Sequence, residues 1–496
     1  MTFKELIIFC DPSTVLGSAP DEIGMLCQDS RKVSPGDIFI AIKGLTSDGH
    51  KFIDAAVENG ASVVISEKPL KNIGNTAVIV VDDTRALVSP LAQKLMGNPA
   101  EKLTITGVTG TNGKTTVATL IWQALTELGQ PASLLGTVEK RFNKRKGESA
   151  LTTADPIEIA RDMKRMVDIG SKFLVMEVSS HALEQQRTSG IPFYVSIFTN
   201  LSHDHLDYHG SMEKYAAAKK KLFDQMNPDG WAIANVDDPR GEWITSDTAA
   251  RVLGISFEKH STVHANIVRA DTKGTQIDIE DLQLRTPLIG IFNAYNAVQA
   301  LLACTALGFD GNHIADVLSH CPGAAGRMER VNRTKKLEQE PVVIVDYAHT
   351  PDALKNVSRT LSELKKTNQN LVIVFGCGGD RDKAKRPEMA KIAETYGDRI
   401  VVTSDNPRTE KPEAIIKDIL KGFNSDTEVY SNLDRKETIR KVISEASIND
   451  IILIAGKGHE TYQEINGVRN HFDDREIARK ALAERASGPS ENTGGN

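Results

Sequence analysis

Cysteine is scarce in this chain and poorly spaced for chemistry. The five cysteines among 496 residues (Cys10, Cys27, Cys304, Cys321 and Cys377) are odd in number and never stand in Cys-x-x-Cys spacing. That argues against a disulfide framework and a thiolate zinc site, and fits a reducing compartment. Long apolar runs are missing too. The patch Ile7 to Cys10 is far shorter than a signal-peptide core, and no window approaches the ~20 apolar residues of a spanning helix. Positive charge is not in surplus: 60 Lys and Arg stand against 66 Asp and Glu, a net charge of −6. This gives no support to nucleic-acid binding or a basic membrane face. The local run Arg141 to Lys146 reads as a solvated loop. No tandem repeat is present. A soluble, cytoplasmic monomer that touches neither nucleic acid nor membrane is expected.

With 40% hydrophobic and 25% charged residues, the composition is that of an ordinary globular protein. The length exceeds one hydrophobic core and implies about three domains. All three read as α/β. Short apolar runs at 37–42, 61–66 and 77–81 predict strands of a small N-terminal domain over 1–100, ending at Gly97-Asn98-Pro99. A central domain over 101–332 opens with a strand at 103–108 and a glycine-rich turn. Val117, Leu120, Ile121, Ala124, Leu125 and Leu128 then follow at helical spacing, stopped by Gly129 and Pro131. Further strands are predicted at 172–178, 194–200 and 230–236. Beyond a hinge candidate at Gly323 to Glu329, residues 333–487 alternate strands (342–347, 371–376, 399–404, 450–456) with helices starting at Asp352, Pro387 and Pro412. That rhythm implies a mostly parallel, Rossmann-like C-terminal domain. The tail, 488–496, is expected to be disordered.

Between the strand at 103–108 and the helix after it lies Gly107-Val-Thr-Gly110-Thr111-Asn112-Gly113-Lys114-Thr115-Thr116. Glycines there let backbone N–H groups turn towards phosphate oxygens, and the helix N-terminus adds its dipole. Lys114 would reach the outer phosphates of ATP and the Thr115 hydroxyl would hold Mg²⁺. Val108 stands where a strict phosphate-loop pattern wants glycine. An incidental strand-to-helix turn is the bland alternative.

Glu177 ends an apolar strand, where a carboxylate suits a hard oxygen ligand for Mg²⁺. Residues 203–209 crowd three histidines and two aspartates together, so zinc is a rival, although no cysteine is near. A lysine run such as Lys219-Lys220-Lys221 ordinarily reads as a solvated helix face, and Lys220 and Lys221 are expected to be that.

Four polar loops follow apolar strands of the last section: Asp346 to Asp352, Phe375 to Asp382, Asp405-Asn406-Pro407-Arg408, and Gly456-Lys-Gly-His459-Glu460. Open α/β sheets bind ligands beyond the carboxyl ends of their strands.

The loop form Gly-Thr-Asn-Gly-Lys-Thr-Thr resembles that of the Mur ligase and folylpolyglutamate synthase superfamily. Together with the later motifs, nearly the whole chain is similar to the Mur ligases, which form amides at the expense of ATP. By this resemblance, Lys219 occupies the position that is carbamylated by CO₂, becoming an anionic metal ligand. The resemblance also implies that Glu177, His205, Thr115 and the modified Lys219 would hold Mg²⁺, with Lys114, Lys219 and His205 at the catalytic centre. Residues 110–116, Asn293 and Arg327 would contact ATP, although helix capping is an alternative for the asparagine. Ser30, Leu45, Thr46 and Ser47 would meet a uridine diphosphate group. Thr152, Thr153, Ser179, Gln185 and Arg187 would grip the peptide end of UDP-N-acetylmuramoyl-L-alanyl-D-glutamate. Arg381, Asp405, Asn406, Pro407, Arg408, Gly456 and Glu460 would hold the incoming amino acid. Asp-Asn-Pro-Arg marks the branch of the family that takes meso-2,6-diaminopimelate, since a guanidinium suits its second carboxylate. The alternatives are a lysine-adding ligase of the family, folylpolyglutamate synthase, and a phosphate-loop NTPase without ligase activity.

Overall fold

The structure is a computed structural model that describes residues 1–44, 47–70, 73–332 and 340–486. It divides into two compact units: Met1–His264 with Gln299–Ile314, and Ala265–Val298 with the chain from Ala315 onward. No helix among the described residues is long and apolar enough to cross a membrane.

The first unit carries two sheets. One contains β1 (Thr14–Leu16), β2 (Leu26–Cys27), β3 (Ile38–Ile40), β4 (Val63–Ser66) and β5 (Ala77–Val80), in the order β1-β5-β4-β3-β2. Only β1 runs antiparallel to its neighbour. Alternation across the pleat explains why these strands are apolar throughout. Ile38 and Ile40 face one core with Leu6, Val88 and Leu91, while Phe39 faces another with Ile53 and Ala56.

The other sheet contains β6 (Thr104–Thr109), β7 (Ala132–Leu135), β8 (Lys140–Phe142), β9 (Arg145–Gly147), β10 (Phe173–Glu177), β11 (Phe193–Phe198), β12 (Trp231–Asn235) and β13 (Arg251–Ser256), ordered β13-β12-β11-β6-β10-β7-β8-β9. The pairs from β13 to β7 are parallel. β6 is therefore flanked on both sides, and its carboxyl end lies beside those of β10 and β11. The run Arg141 to Lys146 is solvated at Lys144, Arg145 and Lys146, as expected, but is not a loop throughout. It forms the antiparallel turn of β8 on β9, where Arg141 pairs with Glu139 at 2.7 Å.

In the second unit, β14 (Val263–Asp271, from Ala265), β15 (Gly274–Ile279) and β16 (Leu282–Thr286) make an antiparallel meander. A six-stranded sheet follows from β17 (Glu329–Val331), β18 (Val342–Asp346), β19 (Leu371–Phe375), β20 (Arg399–Thr403), β21 (Val429–Asn432) and β22 (Ile451–Ala455), ordered β17-β18-β22-β19-β20-β21. All pairs except β17 on β18 are parallel. Alternating residues serve two cores, Ile344, Ile373 and Leu453 on one face and Val343, Val372 and Ile452 on the other. Both faces are covered, as a doubly wound sheet requires. The helix expected from Pro387 starts two residues earlier, at Lys385. Helix Arg435–Glu445, capped by Asp434, and the hairpin of β23 (Tyr462–Ile465) and β24 (Val468–His471), turned by Asn466-Gly467, were not among the expected elements. Residues 333–339, which hold the expected start of the third section, lie outside the described residues, as does the expected tail at 488–496.

Candidate functional site

The turn after β6 is built by two glycines with positive φ, Gly110 at +145° and Gly113 at +87°. A Cβ at Gly110 would stand 1.8 Å from Oγ1 of Thr199, so only glycine fits. Val108 lies within β6 and is fully buried, so the departure from the strict motif falls in the sheet and not in the turn. Helix Lys114–Glu127 starts at Lys114, with Gly113 as its N-cap, leaving its first N–H groups at the loop. The Lys114 amine folds back onto the carbonyls of Gly110 and Thr111, both at 2.8 Å. Asn112 is exposed and its N–H donates to Oδ1 of Asn200 at 3.0 Å. Thr116 is buried at the start of the helix.

Lys219, on helix Met212–Asp224, reaches the same loop. Its Nζ is 2.9 Å from the Gly110 carbonyl and 4.3 Å from the Tyr215 ring centroid. Burial, then the nearby Lys114 charge, hold this amine well below the usual lysine range, with Asp204 opposing. Of Lys220 and Lys221, both expected to be solvated, only Lys221 has a substantially exposed side chain. Lys220 is buried, its Nζ paired with Asp224 and, at 2.7 Å, with Asp247.

Glu177, at the end of β10, is 1% exposed. Its Oε2 accepts from Thr115 Oγ1 at 2.9 Å and from Thr137 Oγ1 at 3.0 Å, and Oε1 accepts the Thr137 N–H at 2.7 Å. Thr137 carried no sequence signal. From it the network continues: the Thr137 and Thr152 hydroxyl oxygens lie 3.0 Å apart, and Thr153 donates to the Glu177 carbonyl at 2.9 Å. The Ser179 N–H donates to Thr153 at 3.0 Å, and Arg187 donates to the Thr153 carbonyl at 2.7 Å and to Gln185 Oε1. Thr152, Thr153, Ser179, Gln185 and Arg187 thus form one hydrogen-bonded group around the strand end. Burial lowers the Arg187 pKa.

His205 is exposed, with φ of +52°. Its ring lies 4.8 Å from His181 and 6.2 Å from Tyr215. His181 is pushed down to about 4 by burial, then by His205 and His209, and is neutral at pH 7. Tyr208 and Tyr215 complete this ring cluster, and the Tyr215 hydroxyl bonds Thr111 at 3.1 Å. No group of three or more His, Cys, Asp or Glu among the described residues is arranged to hold a metal ion.

In the N-terminal part, Ser30 is buried and its carbonyl accepts from Asn59 at 2.9 Å. Ser47 is exposed, and its carbonyl accepts the Gly44 N–H at 2.8 Å. Leu45 and Thr46 lie outside the described residues.

In the second unit, Asn293 sits inside helix Ile291–Ala306 and donates to the Ile289 carbonyl at 2.9 Å, so it does not cap the helix. Arg327 stacks 4.8 Å from the Tyr347 ring, and its Nε is buried without a hydrogen-bond partner among the described residues. Met328, next along, donates to Oδ2 of the buried Asp346 at 2.6 Å. Burial raises that carboxyl, opposed by the Arg327 charge.

The strand ends of β19, β20 and β22 converge on one polar cluster. Arg408, with φ of +52°, donates through NH1 to the Gly379 carbonyl at 2.7 Å. Its N–H donates to the Glu464 carbonyl at 3.0 Å, and its carbonyl accepts from Asn466 at 2.8 Å. A non-glycine residue rarely adopts this conformation, and the hairpin of β23 and β24 holds it there. A Cβ at Gly378 would meet Arg408 NH1 at 2.9 Å and Arg381 Cγ at 3.9 Å, so both arginines pass this glycine. Asn406 donates to Glu460 Oε2 at 2.8 Å. Gly456, with φ of +117°, has the Asp405 carboxylate 2.6 Å from where its Cβ would be. Pro407 is buried. Arg381, Asp405, Asn406, Arg408, Gly456 and Glu460 therefore lie together, as the sequence motifs implied.

A parallel sheet whose central strand feeds a glycine turn and helix, beside a buried threonine–glutamate pair, defines an α/β protein of the phosphate-loop class. Residues 108–304 match the Mur ligase middle domain, residues 326–458 the Mur ligase, glutamate ligase domain, and residues 22–95 the Mur ligase family, catalytic domain. The chain belongs to the Mur ligase family. It is 42% identical over 487 residues to the UDP-N-acetylmuramoyl-L-alanyl-D-glutamate--2,6-diaminopimelate ligase of Cytophaga hutchinsonii, covering 97% of this chain and 99% of the relative. The protein of the same name from Phocaeicola vulgatus is 40% identical over 97% of this chain and 100% of its own length. A solved structure of a ligase of that name superposes with a TM-score of 0.72 at 34% identity, covering 98% of this chain and 99% of the other.

Proposed function

We propose that this chain is an ATP-dependent, ADP-forming ligase of peptidoglycan precursor synthesis. It joins an amine of meso-2,6-diaminopimelate to the γ-carboxylate of UDP-N-acetylmuramoyl-L-alanyl-D-glutamate, working as a monomer in the cytoplasm. The observation that carries the choice of amino acid is the Arg408, Asn406 and Glu460 cluster. It offers a guanidinium for a carboxylate and a carboxylate for an ammonium, the complementary charges for a diamino diacid. L-Lysine lacks the second carboxylate and would leave Arg408 unpaired. The names of the relatives agree with this reading.

The remaining assignments follow the resemblance to the Mur ligases. Residues 110–116, Asn293 and Arg327 hold ATP, and the unpartnered Nε of Arg327 supplies a buried donor of the kind a phosphate satisfies. Ser30, Leu45, Thr46 and Ser47 meet the uridine diphosphate group. Thr152, Thr153, Ser179, Gln185 and Arg187 grip the dipeptide. Arg381, Asp405, Pro407 and Gly456 complete the diamino-acid pocket. Thr115, Glu177, His205 and carbamylated Lys219 are the residues that would hold Mg²⁺. The fit is supported by the all-oxygen pair of Thr115 and Glu177, since magnesium prefers hard oxygen donors. It is supported also by Lys219, whose buried amine tends to the neutral form that attacks CO₂, giving N–COO⁻ and a proton. Bound Mg²⁺ would withdraw charge from the transferring phosphoryl group.

A carboxylate does not condense with an amine in water because oxide is a poor leaving group. Transfer of the γ-phosphoryl group of ATP to the D-glutamyl carboxylate creates an acyl phosphate, and the amine then displaces phosphate. The chain contributes position and charge: Lys114 at the phosphates, Arg187 and Ser179 at the peptide, Glu460 and Arg408 at the amino acid. The test is phosphate release from ATP with the nucleotide dipeptide, adding meso-diaminopimelate or L-lysine in turn. Release with diaminopimelate alone is expected. Release with lysine alone would transfer the reading to the lysine-adding branch, and turnover independent of either amine would reduce the protein to an NTPase.

A further inference from the structure

The amino-acid cluster contains a buried lysine that has no part in holding ATP, metal or the nucleotide dipeptide. Lys457 is 0% exposed, in the turn after β22, between glycines at φ +117° and +51°. Its Nζ lies 3.0 Å from Asn406 Oδ1 and 3.0 Å from Glu460 Oε2. The rings of Tyr462 and Phe472 stand 5.5 and 6.0 Å away. Burying an ammonium is costly unless it is paired and hydrogen-bonded, and an apolar side chain would fill the same space more cheaply.

These bonds set orientation as well as charge. An asparagine amide can face either way. Here Lys457 and the Glu464 N–H, also at 3.0 Å, both donate to Oδ1, which forces Nδ2 towards Glu460. Oε2 of Glu460 is thereby occupied by two donors, while Oε1 accepts no hydrogen bond among the described residues. The carbonyl of the same residue, Glu464, accepts the Arg408 N–H. Lys457 thus ties together the carboxylate that faces an ammonium and the backbone that carries the guanidinium.

We propose that Lys457 is a positioning residue for the diamino acid: its buried ammonium fixes the Asn406 amide and aims Oε1 of Glu460 at the incoming ammonium, without touching substrate. The proposal rests on the reading that Glu460 and Arg408 hold the amino acid.

The test compares Lys457→Met, Glu460→Gln and the double variant in the full chain, with steady-state KM values for all three substrates. Lys457→Met is expected to raise KM for meso-diaminopimelate roughly 10- to 100-fold. KM for ATP and for the nucleotide dipeptide should stay unchanged, and kcat at saturating diamino acid should fall far less. In the Glu460→Gln background the same substitution should add little, because its target is gone. Lys457→Gln, polar but uncharged, should give the same split and carries the comparison if the methionine variant does not fold. Equal loss for all three substrates, an undiminished effect in the Glu460→Gln background, or an unchanged KM for the diamino acid would each overturn the proposal. If the unaltered protein consumes no diaminopimelate, the underlying reading fails first and the proposal with it, before any variant is compared.

Discussion

The side-chain amines of Lys114 and Lys219 donate to one carbonyl oxygen, that of Gly110, at 2.8 and 2.9 Å. Two ammonium groups converging on a buried oxygen repel, and the more buried of the two, Lys219, gives up its proton more readily. The phosphate loop thereby helps to create the nucleophilic amine that a carbamate requires.

Carbamylation of Lys219 is the first prediction. Protein equilibrated with ¹³C-labelled CO₂ should show one carbamate carbon signal by NMR, absent from Lys219→Ala, and CO₂-free protein should lose ligase activity that bicarbonate restores. A full-activity protein without that signal would contradict it.

The Glu177 carboxylate is predicted to be required for magnesium and not for folding. Glu177→Gln keeps the shape and the Thr115 contact but removes the charge. It should lower kcat by roughly 100-fold or more and move the Mg²⁺ titration to higher concentration. An unaltered Mg²⁺ dependence would remove Glu177 from the metal site.

Arg408→Met should weaken use of diaminopimelate while sparing ATP. Leaving a buried charge of the ligand unpaired costs about 2–5 kcal/mol, so kcat/KM for the diamino acid should fall about 30-fold or more. Equal loss in ATP affinity would show that the substitution damages the fold.

Acid stability tests the framework beneath that pocket. Hydrogen bonding from the buried Arg386 is the largest influence on Glu410 and holds its pKa at about 2, down from 4.5. A carboxylate with a depressed pKa stabilises the native state above pH 4.5, and the contribution is lost as pH falls towards 2. Denaturant unfolding between pH 6 and pH 3 should therefore show a steeper loss of stability for the unaltered protein than for Glu410→Gln. Parallel curves would show the pair to be inert.

Much of the fold was legible in the chain because β strands buried on both faces are continuously apolar, and polar loops after them stand out. Val342 to Asp346 followed by the Asp346 to Asp352 loop is such a case. The glycine turn at 110–113 was legible because only glycine tolerates its backbone. Lys220 misled because local charge does not reveal a distant partner, and Asp247 lies well beyond its helix. Thr137 was invisible for the same reason: its importance comes from Glu177, a strand away. The β23–β24 hairpin did carry punctuation, since Asn466 and Gly467 both take positive φ in its turn, but its polar strands, β24 exposed throughout, give weak periodicity.

The central claim is that ATP activates the D-glutamyl carboxylate as an acyl phosphate. The nucleotide dipeptide labelled with ¹⁸O in its γ-carboxylate should be turned over with ATP and meso-diaminopimelate, and the released phosphate analysed by mass spectrometry. One carboxylate oxygen should appear in phosphate for each amide formed. Phosphate free of label alongside amide formation would contradict the acyl-phosphate route.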